Sequence, residues 1–183
     1  MSLPDLLQEN LDVIFVGINP SSFSVAQGHY FARRTNRFWS CFSASQLSFK
    51  AREALGVTRL EPLHDRALLD LGFGFTDAVK RASPRASDIS AAEFSTAIEA
   101  LVAKLERFRP KVACFHGIMA YRPMHRALTR SRTDPALGAQ ALRMGSTRLY
   151  LVPNPSPANA HFTASDQTQW YDRLLLFLRD GSE

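Results

Sequence analysis

Val13-Ile14-Phe15-Val16 is an apolar run that stops at Gly17-Ile18-Asn19-Pro20, and this junction constrains the chain more than any other stretch. Four apolar residues with no polar alternation describe a strand buried on both faces, as in a parallel sheet covered by helices. The strand cannot run on through Pro20, which offers no N–H to a ladder and restricts the residue before it. Turns that leave buried parallel strands line the crevice where α/β sheets hold ligands. Asn19, a short amide with donors and an acceptor, is therefore expected at the mouth of such a crevice. A turn asparagine can also serve only its own backbone, so Asn19 alone defines no site.

The remaining pattern supplies neighbours for that strand. Residues 4–10 read as a short helix or lead-in, Asn36–Leu47 as a helix with Phe38, Trp39 and Phe42 on its apolar side, and His64–Leu71 as a helix ended by Gly72. Gly72-Phe73-Gly74-Phe75-Thr76-Asp77 reads as a second strand or bend. Ser90-Ala91-Ala92-Glu93 has the S-x-x-E spacing of a capping box and opens a helix to Phe108, stopped by Arg109-Pro110. Lys111–His116 is a further buried strand, Ile118–Leu128 a short helix and 129–140 a polar loop. Leu142–Met144 and Thr147–Val152 form a hairpin around Gly145-Ser146, and Ser165–Arg179 closes the chain as a helix. Strands alternating with helices predict one α/β domain over 1–183, three layers thick, with a mainly parallel central sheet and helices on both faces. A chain of 183 residues with 45% apolar content can bury a core of that size.

Parallel strands end on one edge of a sheet, so Gly17–Asn19, Thr76–Asp77 and Asn154–Ala158 can converge there. Ser156 lies in no G-x-S-x-G elbow, and no phosphate-cradling G-x-x-x-x-G-K-[ST] occurs. Two cysteines, Cys41 and Cys114, are too few for a structural zinc or an iron–sulfur cluster and read as buried thiols, so no metal or cofactor is expected. His116, His125 and His161 stand singly and read as ordinary surface or packing residues. No apolar run reaches membrane-spanning length, and the first residues lack the basic start and apolar segment of a signal peptide, which predicts a cytoplasmic protein.

Lys and Arg number 22 against 17 Asp and Glu, a net charge of +5 that favours a polyanionic partner. Arg33, Arg34 and Arg37 flank an aromatic segment, while Lys80 and Arg81 follow the second strand; Arg33, Arg34, Lys80 and Arg81 are the expected phosphate contacts.

Gly17-Ile18-Asn19-Pro20, then Phe31-Ala32 and Asn36-Arg37-Phe38-Trp39, then Asn154-Pro155-Ser156 occur in an order and spacing that span nearly the whole chain. This set resembles the mismatch-specific uracil- and thymine-DNA glycosylase family of the uracil-DNA glycosylase superfamily. The resemblance implies an enzyme without cofactor, a monomer by default, that excises uracil flipped out of DNA and leaves an abasic site. It carries the water-positioning role onto Asn19, the ring that stacks on the flipped base onto Phe31, and the other base contacts onto Gly17, Ile18 and Ser24. Asn154, Ser156, Pro157, Ala158 and Asn159 become the loop that meets DNA, at nucleoid DNA in the cytoplasm of a bacterium. Two positions depart from the family. Asp77 stands where its members carry lysine or asparagine, and a carboxylate there can act as general base or pair with Lys80 or Arg81. Pro157-Ala158-Asn159-Ala160 replaces a segment that carries a leucine wedge and an arginine. Another deaminated or alkylated base, or binding of damaged DNA without catalysis, are the competing expectations.

Overall fold

Burial along the strands follows from their apolar runs. β1 (Val13–Gly17), β2 (Phe73–Asp77) and β3 (Val112–His116) are buried at every residue, and β5 (Thr147–Val152) at all but Arg148. In the computed structural model, which describes residues 2–181, these four strands run parallel in the order β2-β1-β3-β5. β4 (Gly138–Met144) closes one edge, antiparallel to β5.

Successive side chains of β1 go to opposite faces and so seed two cores. Val13 and Phe15 pack with Phe38, Phe42, Leu68, Tyr171 and Leu174, under α2 (Phe38–Ala44), α3 (Phe49–Leu55) and α6 (Ala164–Arg179). Ile14 and Val16 pack with Phe94, Leu101, Leu105, Tyr121 and Met124, under α4 (Ala91–Phe108) and α5 (Ile118–Thr129). This is the three-layer α/β arrangement that the pattern predicts. α4 begins in the expected capping box, with Ser90 Oγ accepting from Glu93 N–H and the Glu93 carboxylate accepting from Ser90 N–H. Cys41 and Cys114 are buried, free thiols.

Several local expectations are corrected. Of the two readings of residues 4–10, the lead-in holds and the helix does not: Leu6 bridges Phe75 through two backbone hydrogen bonds of 2.8 and 2.9 Å, so this segment covers the outer edge of β2. His64–Leu71 is not one helix but part of two short 3-10 turns, Pro62–His64 and Ala67–Leu71. Between them Asp65 turns inward to bind His29 and the Tyr30 N–H. The loop expected over 129–140 is shorter, because β4 already starts at Gly138. A helix that no sequence signal had marked, α1 (Ser22–Gln27), lies between Pro20 and the aromatic segment. It is capped by Ser21 and closed by Gly28 at φ 73°. The expected domain ends, residues 1 and 182–183, lie outside the described residues.

Candidate active site

Gly17 and Asp77 are partners in the parallel register of β1 and β2. A Cβ placed on Gly17 would collide with Asp77 Oδ1 and lie 3.7 Å from Phe31 Cζ. Motif glycine, carboxylate and aromatic ring therefore meet at one point on the C-terminal edge of the sheet. Asp77 is 3% exposed, and its Oδ2 has no hydrogen-bond partner among the described residues. Burial pushes this carboxyl up to about 7; the positive charges of Lys80 and Lys104 oppose the shift, and Asp5 adds to it.

Asn19 is held in the turn by its amide nitrogen. Nδ2 donates to the Ser83 hydroxyl at 2.8 Å, the Arg81 carbonyl at 3.1 Å and the Pro20 carbonyl at 3.2 Å. Three acceptors around one end fix which end is nitrogen. Oδ1 is then the free end, and no hydrogen bond engages it among the described residues. Asn19 thus presents an oriented acceptor, which suits it to hold a water molecule. Ser83, 2% exposed and also donating to the Arg85 carbonyl, is the brace that sequence reasoning missed. Its signal was weak: a serine in a polar loop, brought to Asn19 by the bridge between Ser21 and Ser83.

Residues 28–32 are fastened on several sides. Gly28 and His29 N–H bond the Ser24 carbonyl, Tyr30 N–H bonds Asp65, Ala32 N–H bonds Ser24 Oγ, and Trp39 Nε1 donates to the Tyr30 carbonyl. Ser24, expected among the base contacts, is buried, and its hydroxyl oxygen accepts from Ser21 Oγ and the Ala32 N–H, which shapes the loop. The only backbone N–H here without an acceptor among the described residues is that of Phe31. Phe31 takes φ 51°, a conformation rare for an aromatic residue. Its half-buried ring stacks on Phe38 with centroids 4.4 Å apart and planes 19° from parallel. A ring backed by a second ring is a firm platform for a flat ligand.

Arg37 joins two motifs that lie far apart in the chain. Its backbone N–H bonds the Pro155 carbonyl, and its guanidinium donates to the carbonyls of Ser156, Asn159 and Phe162. Within the loop, Asn154 Oδ1 accepts from Ser156 N–H, Ser156 Oγ from Ala158 N–H, and Asn159 Nδ2 donates to the Asn154 carbonyl. Asn154, Ser156 and Asn159, expected to meet DNA, use their side chains to shape the loop. Pro157 and Ala158 are exposed. Gly117, at φ 90°, lets this loop approach β3, since a Cβ there would lie 2.9 Å from that of Asn154.

The basic residues divide. Lys80 pairs with Asp5 at 2.7 Å and reaches the Tyr30 hydroxyl at 3.3 Å. Lys104 holds the other Asp5 oxygen at 2.7 Å. Arg81 pairs with Glu93 and donates to the Asp88 carbonyl. Lys80 and Arg81, expected as phosphate contacts, are thus each ion-paired within the protein. Arg33 and Arg34 are exposed, with no ion pair among the described residues. The alternative that Asp77 pairs with Lys80 or Arg81 is not realised, since both cations have other carboxylates.

His116, at the end of β3, is a packing residue of this site. It is 1% exposed, hydrogen-bonds the Tyr171 hydroxyl at 2.9 Å and packs edge-on to Phe31 at 5.2 Å. Burial pushes its pKa down to about 3, partly offset by the Val16 backbone, so the ring is neutral. No group of three or more metal-binding side chains occurs among the described residues.

Fold and site together define an α/β domain that carries an oriented amide, a buried carboxylate and a ring platform at or near the C-terminal ends of β1 and β2. The sequence model of the Uracil DNA glycosylase superfamily matches residues 4–178, and the chain belongs to that family. DNA glycosylase chemistry, the removal of bases from DNA, goes with that membership. Among solved structures, the chain is similar to the solution NMR structure of a protein from Methanosarcina acetivorans named "putative Uracil DNA glycosylase". The TM-score is 0.54 at 21% sequence identity, over 100% of this chain and 98% of that one, a likeness of fold.

Proposed function

We propose that the protein hydrolyses the N-glycosidic bond of uracil flipped out of DNA, as a monofunctional glycosylase of the mismatch-specific branch. One observation carries this reading: Phe31, Gly17 and the Asp77 carboxylate converge at one point. A flipped uracil stacked on Phe31 would have its edge against the backbone of Ile18 and the free Phe31 N–H, and its sugar toward Asp77. Water held by Asn19 Oδ1 then attacks the anomeric carbon as the bond to the base nitrogen breaks. The electron pair leaves with uracil, whose anionic oxygen the backbone N–H groups stabilise, and Asp77 takes the proton of the water. A carboxylate shifted to about 7 is matched to that task near neutral pH. Schiff-base chemistry is disfavoured: Lys80 and Lys104, the lysines whose charge reaches Asp77, are both engaged in ion pairs with Asp5 and offer no free amine to the site.

The test is release of free base from oligonucleotides carrying uracil, hypoxanthine, xanthine or ethenocytosine, with Phe31→Ala as control. Uracil released fastest, and lost with Phe31→Ala, supports the reading. Faster release of another base would reassign the substrate. Binding of all of them without release would make the chain a damaged-DNA-binding module.

A further inference from the structure

A groove of about 470 Å³ is lined in part by Phe31, and the other residues of its lining take no part in the chemistry above. Two stretches of chain supply most of its lining, one with Ala32, Arg33, Arg34 and Trp39 and the other with Arg59, Leu60 and Glu61. Arg33, Arg34 and Arg59 are all exposed, and none is ion-paired among the described residues. Three guanidinium groups without an ion pair among the described residues, that of Arg33 lying 6.0 Å from the Phe23 ring, with one acid among them, make a local excess of positive charge. Guanidinium groups bind phosphate oxygens in pairs of parallel hydrogen bonds, so this is a phosphate-binding chemistry.

The stretch around Arg59 is firmly built. Leu60, next to Arg59, is fully buried. Its N–H donates to Ser43 Oγ at 2.8 Å, and that hydroxyl donates back to the Leu60 carbonyl at 3.1 Å. The backbone under Arg59 is therefore fixed to α2, the helix that also supplies Phe38 behind Phe31. In the other stretch, the backbone passes from Phe31 directly into Ala32, Arg33 and Arg34. A base on Phe31 and a phosphate in the groove are thus served by consecutive residues. The volume suits about one nucleotide, being within the range of small-ligand pockets.

We propose that this groove holds the phosphodiester backbone of the strand that carries the flipped base, next to the flipped nucleotide, with Arg59 as a phosphate contact. This rests on the base-excision reading of the Phe31 site. It replaces Lys80 and Arg81, which are held by Asp5 and Glu93, with a path over Arg33, Arg34 and Arg59.

The experiment is fluorescence anisotropy with a uracil-free single-stranded oligonucleotide across a salt series. The proteins are wild type, Arg59→Gln, Arg33→Gln/Arg34→Gln, and Arg109→Gln at the opposite end of the sheet. Arg59→Gln should weaken binding about 3- to 10-fold whatever the sequence and lower the salt slope by about one phosphate contact. The double variant should lose more, and Arg109→Gln should match wild type. Arg59→Gln with wild-type affinity and slope would overturn the proposal. Displacement of the strand by inorganic phosphate beyond its contribution to ionic strength would also overturn it, leaving a small-anion site. Uracil release by wild type from a uracil-containing oligonucleotide is scored separately. Release with no Arg59 effect removes only the groove, whereas an Arg59 effect with no release removes the glycosylase reading and keeps the groove as a strand-binding site.

Discussion

Gly17 faces Asp77 across β1 and β2, and the missing side chain of the glycine is what gives the Asp77 carboxylate its position. Gly17 has no positive φ, so alanine there meets no backbone strain; the only obstacle is the Asp77 oxygen. Gly17→Ala should therefore fold, displace the carboxylate and lower single-turnover excision by about 100-fold, the usual scale for a misplaced group. Wild-type turnover in a folded Gly17→Ala protein would separate Asp77 from the chemistry.

Asp77 should govern two pH profiles. As a base it must be ionised, so excision should rise with pH through about 7, and this limb should vanish in Asp77→Asn. For stability the sign is the opposite. The folded-state value is raised above the ordinary 3.8, so the unfolded chain ionises first and wild-type stability falls as pH rises from about 4 to about 7. Asp77→Asn lacks this decline, and the two denaturation curves should diverge over that window, by on the order of a few kcal/mol. A constant difference from pH 4 to 8 would contradict the buried, unpartnered carboxyl.

Asn19→Ala should reduce excision at least about 100-fold with little change in melting temperature, a loss of roughly 2.7 kcal/mol in transition-state stabilisation. Ser83→Ala removes one of three acceptors that orient the amide and should cost less, about 10-fold. Its mark should be a fall in single-turnover rate with unchanged DNA affinity. Near-normal rates in both variants would remove Asn19 from the reaction.

Arg37 holds the loop 154–162 by its carbonyls. Arg37→Met should leave those acceptors without a donor and destabilise the protein by about 1–3 kcal/mol. Amide exchange should quicken over residues 154–162 while α4 and α5 remain protected. Unchanged exchange in the loop would mean that its internal turn bonds suffice.

Ala158 bears on the choice of opposite base. Flipping a base costs a few kcal/mol, least when it is mispaired or unpaired. Exposed Ala158 has one methyl with which to fill the gap, so excision should be fast from single strands and U·G pairs and slower from U·A. Ala158→Leu should speed the U·A substrate most. Equal U·G and U·A rates in wild type, with weak action on single strands, would assign insertion to another side chain.

The layered α/β fold was legible because its signals are local. Apolar runs at Val13–Val16 and Val112–Phe115, the capping box at Ser90 and the stop at Arg109-Pro110 each act within a few residues. The same holds for Asn19 and Asp77, whose places at strand ends follow from where those strands must stop. The helix read over His64–Leu71 was wrong, and the pairing of residues 4–10 with β2 was not legible, because both conformations come from distant partners: the backbone N–H of Tyr30 in one case, the open edge of β2 in the other.

What the sequence determined by itself is the set of chemical groups at the C-terminal edge of a parallel sheet: an amide, a carboxylate and a ring. Tertiary structure alone decided which of them are free to act. Ser83 spends one end of Asn19 and leaves the other open. Desolvation by the surrounding core, not any neighbour in the chain, lifts the Asp77 carboxyl. Asp5 and Glu93 occupy Lys80 and Arg81, while Arg59 stays unpaired on a stretch fixed by Ser43. Charge and hydrogen-bonding capacity are written into residue types, but whether a group is already satisfied depends on contacts across the fold, and only the folded chain makes them.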